Sequence, residues 1–235
     1  MESNLLLNNK KSVPLEFNKV ALKYDVATLL SQGYQKDLDL SAKRMKLKGG
    51  ESIIDLCCGT GKSTEACITQ LPKGNILAID NSEEMLSVAK QKFTTNNIKF
   101  ELADAMELDY PDESFDAIFM AYGIRNMPDY NKCLINLKRM LKPNGLICFH
   151  EYSLNDNFLS RLYWRILGYT AIVPISTILS GSSDIYRYLV KSVIYFPSPK
   201  KFIEILKQNG FVRAERLPMP SWRKPILHTF IAYKQ

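Results

Sequence analysis

From residue 51 onward, short apolar runs alternate with longer stretches in which apolar side chains recur every three or four positions. The runs Ser52–Cys57, Asn75–Asp80, Ile98–Leu102, Phe115–Ala121 and Leu146–Tyr152 have the length of buried strands. Between them, Thr64–Gln70, Ser82–Phe93 and Lys132–Leu141 carry helical spacing. Strands alternating with helices of about ten residues predict βαβ crossovers and a parallel sheet. Ser82 with Glu83 and Glu84 suits a helix N-terminus, and Pro143-Asn144-Gly145 predicts a turn between helix and strand. A last helix is expected over Pro197–Gly210, then strands near Phe211–Arg216 and Ile226–Tyr233. Ahead of these elements, Phe17–Leu40 alternates apolar and polar residues at roughly helical spacing. The expected fold is α/β. It is a Rossmann-like, doubly wound, mostly parallel seven-stranded sheet with helices on both faces and a helical insert over 155–195, after the fifth strand. One domain spanning 1–235 is expected, with 1–16 flexible.

Composition narrows the class without choosing a partner. The chain has 235 residues, 46% apolar and 23% charged, which excludes a disordered or collagen-like protein. Its formal charge of +7 suits an anionic membrane, a nucleic acid or an acidic substrate equally. The five cysteines, Cys57, Cys58, Cys67, Cys133 and Cys148, lack zinc-ligand spacing and read as reduced thiols of a cytosolic protein. Met1–Lys11 is polar and lacks the apolar core of a signal peptide. Ile166–Leu179, interrupted by Pro174 and several hydroxyl residues, falls short of the ~20 apolar residues of a membrane-spanning helix. The expectation is a cytoplasmic protein, peripheral to the inner face of a membrane at most.

The chemistry concentrates in Ile53-Ile54-Asp55-Leu56-Cys57-Cys58-Gly59-Thr60-Gly61-Lys62-Ser63-Thr64, an apolar strand that enters a glycine loop and then a helix. Glycine lets such a loop turn tightly and bring its backbone close to a ligand. A phosphate-cradling P-loop needs a glycine where Leu56 stands. A dinucleotide fingerprint needs a third glycine where Thr64 stands, and it rarely carries an acid such as Asp55 at the strand end. A nucleoside without phosphates, carrying a positive charge, remains. S-adenosylmethionine is such a ligand. Asp80 ends the second strand, 19 residues after Gly61, where a carboxylate can accept from both ribose hydroxyls. Asp104-Ala105, after the third strand, can meet the adenine amino group.

Four further pieces carry a resemblance: Phe17-Asn18-Lys19-Val20-Ala21-Leu22-Lys23-Tyr24-Asp25, Tyr122-Gly123-Ile124-Arg125-Asn126, Leu141-Lys142-Pro143-Asn144-Gly145 and Asp184-Ile185-Tyr186-Arg187-Tyr188-Leu189. With the glycine loop, they make the chain resemble class I methyltransferases, and more narrowly the ubiquinone/menaquinone C-methyltransferase family, from Phe17 to about Phe211. The resemblance implies an S-adenosylmethionine-dependent C-methyltransferase acting on a prenylated quinol such as demethylmenaquinol or a ubiquinone precursor. It implies Thr60, Asp80, Asp104 and Ala105 as cofactor contacts; Asp55, Gly59, Gly61 and Ala121 complete the expected set. The chain departs from the family pattern at Cys57-Cys58, at Ala121 where serine is usual, and at His150-Glu151-Tyr152-Ser153. Its end from Met219 to Gln235 matches poorly.

Methyl transfer from a sulfonium is an in-line displacement, so alignment and exclusion of water are the main demands. A quinol carbon becomes nucleophilic when a neighbouring hydroxyl loses its proton. Arg125, with Asn126, is the expected stabiliser of that anion; the alternative is a structural ion pair with a nearby carboxylate. Tyr24 is expected to close an aromatic ring over the sulfonium. Tyr122, Tyr186 and Arg187 are expected against the acceptor, though Tyr186 and Arg187 could instead hold the insert to the sheet. His150 could act as a base near neutral pH, but a lone histidine is more often a satisfied core residue. Phe158–Leu179, apolar with Arg161 and Arg165 four apart, could rest on an anionic membrane or simply cover the core. Methylation of another hydrophobic small molecule, or a cofactor-binding scaffold without chemistry, stays open, as does a homodimer. Nucleic acid is not expected as a partner: the basic residues are scattered and no base-flipping motif follows the fourth strand.

Overall fold

A computed structural model describes residues 15–18, 21, 33–181 and 183–235. Its strands are β1 (Ser52–Leu56), β2 (Asn75–Asp80), β3 (Ile98–Leu102), β4 (Phe115–Ala121), β5 (Leu141–Tyr152), β6 (Val212–Pro218) and β7 (Leu227–Tyr233). The helices are α1 (Tyr34–Arg44), α2 (Lys62–Ile68), α3 (Glu83–Lys92), α4 (Tyr130–Met140), α5 (Phe158–Leu167), α6 (Val173–Ser180), α7 (Asp184–Tyr195) and α8 (Pro199–Gln208). The strands form one sheet in the order β3-β2-β1-β4-β5-β7-β6. All pairs from β3 to β5 are parallel, and β7 runs antiparallel between β5 and β6. The expected α/β architecture is present.

Both faces of the sheet are covered, which explains why the central strands read as continuous apolar runs. Ile54, Leu56, Ile118, Met120, Ile147 and Phe149 pack on one face with residues of α4 and α8. Ile53, Ala117, Phe119 and Cys148 pack on the other with residues of α1 and α2. Side chains alternate between faces along each strand, so Asp55 and His150 lie on the α1–α2 face. Several helices start on side-chain caps. Ser82 accepts from the Met85 N–H at 3.2 Å, Asp129 from Lys132 at 3.0 Å and Asn157 from Ser160 at 2.7 Å.

Two local expectations change. Pro143-Asn144-Gly145 is not a turn ahead of the strand but a bulge inside β5, which starts at Leu141. Between the pairs Phe115↔Leu141 and Ala117↔Leu146, β4 advances two residues while β5 advances five. The surplus is taken up where Asn144 adopts φ 61°, a conformation that asparagine tolerates better than most residues. The continuous apolar helix within the insert is also longer than the run Ile166–Leu179. A π turn over Gly168–Ile172 joins α5 to α6, so Phe158–Ser180 is 23 helical residues, long and apolar enough to cross a membrane by length and composition. Only a stripe of it packs inward. Trp164 is buried and its indole N–H donates to the Val190 carbonyl at 3.0 Å. A Cβ on Gly168 would come within 2.5 Å of Val190, so the glycine sets the close crossing with α7.

The core beneath α8 centres on Phe202, which is fully buried and meets Phe149 and Phe230 edge to face at 5.5 and 4.9 Å. Phe202→Ala is expected to destabilise the protein by about 3–5 kcal/mol, through lost transfer energy and the cavity left behind. Urea unfolding with an unchanged slope checks this; a loss under about 1 kcal/mol would show that the site collapses freely.

Candidate active site

The helices after β1 and β4 leave toward opposite faces of the sheet, and a crevice opens where the strand order reverses. A cavity of about 580 Å³ occupies it. The glycine loop forms its floor, with Cys57, Gly59 and Gly61 at φ 60°, 55° and 87°. A Cβ on Gly61 would meet the Phe93 ring at 2.6 Å, so both conformation and space require glycine there. Asp80 ties the loop to the end of β2. Its two oxygens accept from the Gly59 N–H at 2.8 Å and the Ser82 N–H at 2.9 Å. Lys92, on α3, donates to the Thr60 carbonyl at 2.8 Å.

Gly59, Thr60, Asp80, Asp104, Ala105, Ala121, Tyr122 and Asn126 all line this cavity. Other expected site residues lie elsewhere. Asp55 sits fully buried behind the loop, where Oδ2 accepts from the Ser63 and Thr64 hydroxyls at 2.9 and 2.6 Å. Arg125 is buried too. Its guanidinium donates to Glu151 at 2.6 Å, to the Tyr122 carbonyl at 2.7 Å and to Ser192 at 3.3 Å, and it is not part of the cavity wall. The ion-pair reading of Arg125 thus has its carboxylate. Asn126 does reach the wall, held by its own bond to the Tyr122 carbonyl at 3.2 Å and by the Tyr188 hydroxyl at 3.1 Å. Tyr186 is buried in the insert and Arg187 is exposed on the same helix, and neither lines the cavity. Tyr24 lies outside the described residues.

His150 is a satisfied core residue. It is fully buried between Ser41 on Nδ1 and the Tyr122 hydroxyl on Nε2, each at 2.8 Å. Burial, with the positive charges of Arg44 and Arg223 behind it, lowers its pKa to about 3, so the ring stays neutral around pH 7. Sequence reasoning had no means of finding Ser41, because it is 109 residues away. It also missed the aromatic wall, in which Tyr122 stacks on Tyr34 at 5.5 Å and leans on Tyr152 at 5.1 Å.

Burial pushes both site carboxylates upward. Asp55 rises to about 7 despite its two hydroxyl donors, and Asp80 to about 6 despite its backbone donors. Both oxygens of Asp80 accept from backbone N–H groups, and a carboxylate with about four lone-pair sites can still accept from a diol. Two carboxylates, Asp80 and Asp104, on one wall suit a ligand that carries positive charge. The residues present fit S-adenosylmethionine, which supplies a methyl group activated on sulfur.

This strand order, with a glycine loop at its reversal and the Asp80 carboxylate on the neighbouring strand, is that of the S-adenosylmethionine-dependent methyltransferases. Solved structures share the fold. A methyltransferase of Haloferax volcanii, solved with its Trm112 activator, superimposes with a TM-score of 0.70 at 15% identity over 93% of this chain and 97% of its own. A SAM-dependent methyltransferase of Aquifex aeolicus gives 0.62 at 19% identity over 90% and 98%. Sequence relatives are more specific. The demethylmenaquinone methyltransferase of Lactobacillus johnsonii is 35% identical over 222 residues, 90% of each chain. The ubiquinone/menaquinone biosynthesis C-methyltransferase UbiE of Rickettsia akari is 35% identical over 83% of this chain and 82% of its own. Residues 6–219 match the model of the ubiE/COQ5 methyltransferase family, and the chain belongs to that family.

The Asp55 carboxyl makes a testable contribution to stability. Its folded pKa, about 7, lies above its ordinary 3.8. Its contribution is therefore fully present below about pH 4 and lost as pH rises through about 7. Asp55→Asn carries no charge at any pH, so its Tm relative to wild type should be higher at pH 8 than at pH 5. The histidine contributions, which have the opposite sign, cancel in that comparison. A Tm difference that does not change with pH contradicts the buried-carboxyl account.

Proposed function

We propose that this methyltransferase C-methylates a prenylated quinol, a demethylmenaquinol or its ubiquinone-pathway counterpart. The observation that carries the reading is the family match over residues 6–219, with relatives of that name at 31–35% identity along most of the chain. The cavity supports it, being polar at Asp80 and Asp104 and aromatic at Phe17, Tyr34 and Tyr122. In this reading the chain is one domain. Asp80 holds the ribose hydroxyls, Asp104 and Ala105 the adenine, and Gly59 and Thr60 the amino-acid end. Asp55 and Gly61 shape the loop from behind, and Ala121 floors the sulfonium. Tyr24 is assigned to the sulfonium side. Tyr122 and Asn126 face the acceptor ring, while Arg125, clamped by Glu151, fixes the turn that presents them. With water excluded, these residues align the ring carbon with the methyl group.

The insert brings the enzyme to its lipid substrate. Phe158, Leu159, Ile166, Ile175 and Ile178 are 53–83% exposed on the helical run that ends at Ser180. Such an apolar face, with Arg161 and Arg165 alongside, fits the interface of an anionic bilayer. In this reading the protein works in the cytoplasm, at the inner face of the membrane.

Asp80→Asn should weaken S-adenosylmethionine binding about a hundredfold by titration calorimetry, as two charge-assisted bonds lose their anion. An affinity within threefold of wild type would sink the cofactor assignment. Purified protein with a short-tailed demethylmenaquinol kept reduced should yield the methylated quinol by mass spectrometry. If only unrelated acceptors are methylated, the quinol reading fails. The double change Leu162→Asp, Ile166→Asp, at exposed positions, should abolish co-sedimentation with anionic vesicles and leave activity on the short-tailed quinol intact. Equal loss of both would make the insert a pocket wall.

A further inference from the structure

Behind the cavity, polar side chains of α1, β5 and β7 and of the residue after β4 join in one chain that is buried at its centre. Arg44, at the end of α1, donates to Thr229 Oγ1 of β7 at 2.7 Å. Thr229 Oγ1 lies 2.8 Å from Ser41 Oγ of α1, and Ser41 Oγ lies 2.8 Å from His150 Nδ1 of β5. His150 Nε2 then meets the Tyr122 hydroxyl, just past β4, at 2.8 Å. Ser41, Thr229 and His150 are all fully buried.

The direction of every bond follows from the arginine. A guanidinium can only donate, so Thr229 accepts from Arg44 and its own hydrogen goes to Ser41. Ser41 then donates to His150 Nδ1, which leaves the imidazole hydrogen on Nε2, where it donates to Tyr122 Oη. The reverse arrangement strands the Thr229 hydrogen in the core and forfeits a buried donor. Tyr122 therefore accepts from His150 and gives its own hydrogen to whatever else it meets. A row of donors that begins at a cation also makes that hydroxyl a stronger donor than a solvated phenol. Its position is fixed from several sides. The backbone adopts φ 56°, Tyr34 and Tyr152 flank the ring, and Arg125 holds the carbonyl.

The cofactor's ribose and adenine are assigned to the ends of β2 and β3, whereas Tyr122 stands across the crevice with Asn126 and Tyr34. We propose that the relay Arg44–Thr229–Ser41–His150 makes the Tyr122 hydroxyl a hydrogen-bond donor to an oxygen on the acceptor ring, stabilising the anion left when that ring hydroxyl gives its proton to solvent, and so rendering the neighbouring carbon nucleophilic. The inference rests on the C-methylation reading above. Tyr122 touches the acceptor; His150, Ser41, Thr229 and Arg44 are positioning residues that act through it. Other charged and titratable groups near the imidazole are Arg223, paired with Asp37 at 2.7 Å, and His228.

Two measurements decide it. With a short-tailed quinol, Tyr122→Phe should lower kcat about a hundredfold and leave S-adenosylmethionine affinity within twofold of wild type. His150→Leu should lower kcat less, and should cause no further loss when added to Tyr122→Phe, because its effect passes through the missing hydroxyl. A Tyr122→Phe enzyme within threefold of wild type, losses that multiply, or a loss explained by cofactor affinity would each overturn the proposal. The second measurement needs no substrate. The chain has two histidines, so nitrogen-15 spectra of labelled protein, assigned with His150→Leu, report each ring directly. His150 should carry its proton on Nε2 between about pH 5 and 8, and the Nε2 signal should move in Tyr122→Phe. The opposite tautomer overturns the relay. If wild type methylates no quinol, the C-methylation reading fails and takes the acceptor contact with it, whatever the spectra show.

Discussion

Strand order reverses between β1 and β4, and much of the site follows from that geometry. The chain leaves β1 toward the α1–α2 face and leaves β4 toward the α4–α8 face. Two neighbouring parallel strands therefore end without a helix between them, and the crevice is bordered by whatever follows each strand. After β1 that is a loop with three left-handed residues; after β4 it is Tyr122, also left-handed. Asp80 closes the arrangement from β2, because one carboxylate serves both the loop amide and the start of α3. Removing the side chain would disturb the floor of the cavity as well as its charge.

The site is supported by buried polar groups on both faces of the sheet. On one face, Arg125 and Glu151 pair at 2.6 Å with 6% and 0% of their side chains exposed. Such a pair adds little net stability over an apolar replacement, while breaking it is costly. Its value here is geometric, since the guanidinium also grips the carbonyl of Tyr122. On the other face, Asp55 anchors the first turn of α2 and the His150 chain reaches the hydroxyl of the same Tyr122. Tyr122 is thus held from both sides of the sheet.

The insert obeys a different constraint. Trp164 and the small Gly168 let α5 and the π turn lie tightly on α7, and that contact uses one narrow stripe of a long apolar helix. The remaining apolar surface is more than a soluble core helix normally exposes. In the proposed reading, a lipid acceptor would give that surface a purpose.

Local pattern was enough to read the sheet, its covering helices and the cofactor loop. Burial on both faces makes each strand an apolar run, and a left-handed loop demands glycine at Gly59 and Gly61. The position of Asp80 and Asp104 at the crevice was legible too, since one ends a recognisable strand and the other closely follows one. The sequence could not show that Arg125 turns to Glu151 and away from the cavity, nor that Tyr186 lies inside the insert. It could not show that His150 is a neutral link between Ser41 and Tyr122. His150 and Thr229 stand 109 and 188 residues from Ser41, and no spacing rule connects the three. Periodicity follows from forces between neighbours in the chain. Whether a polar side chain is a base, an anchor or a pair partner depends on what folding places beside it, and on how much water is left there.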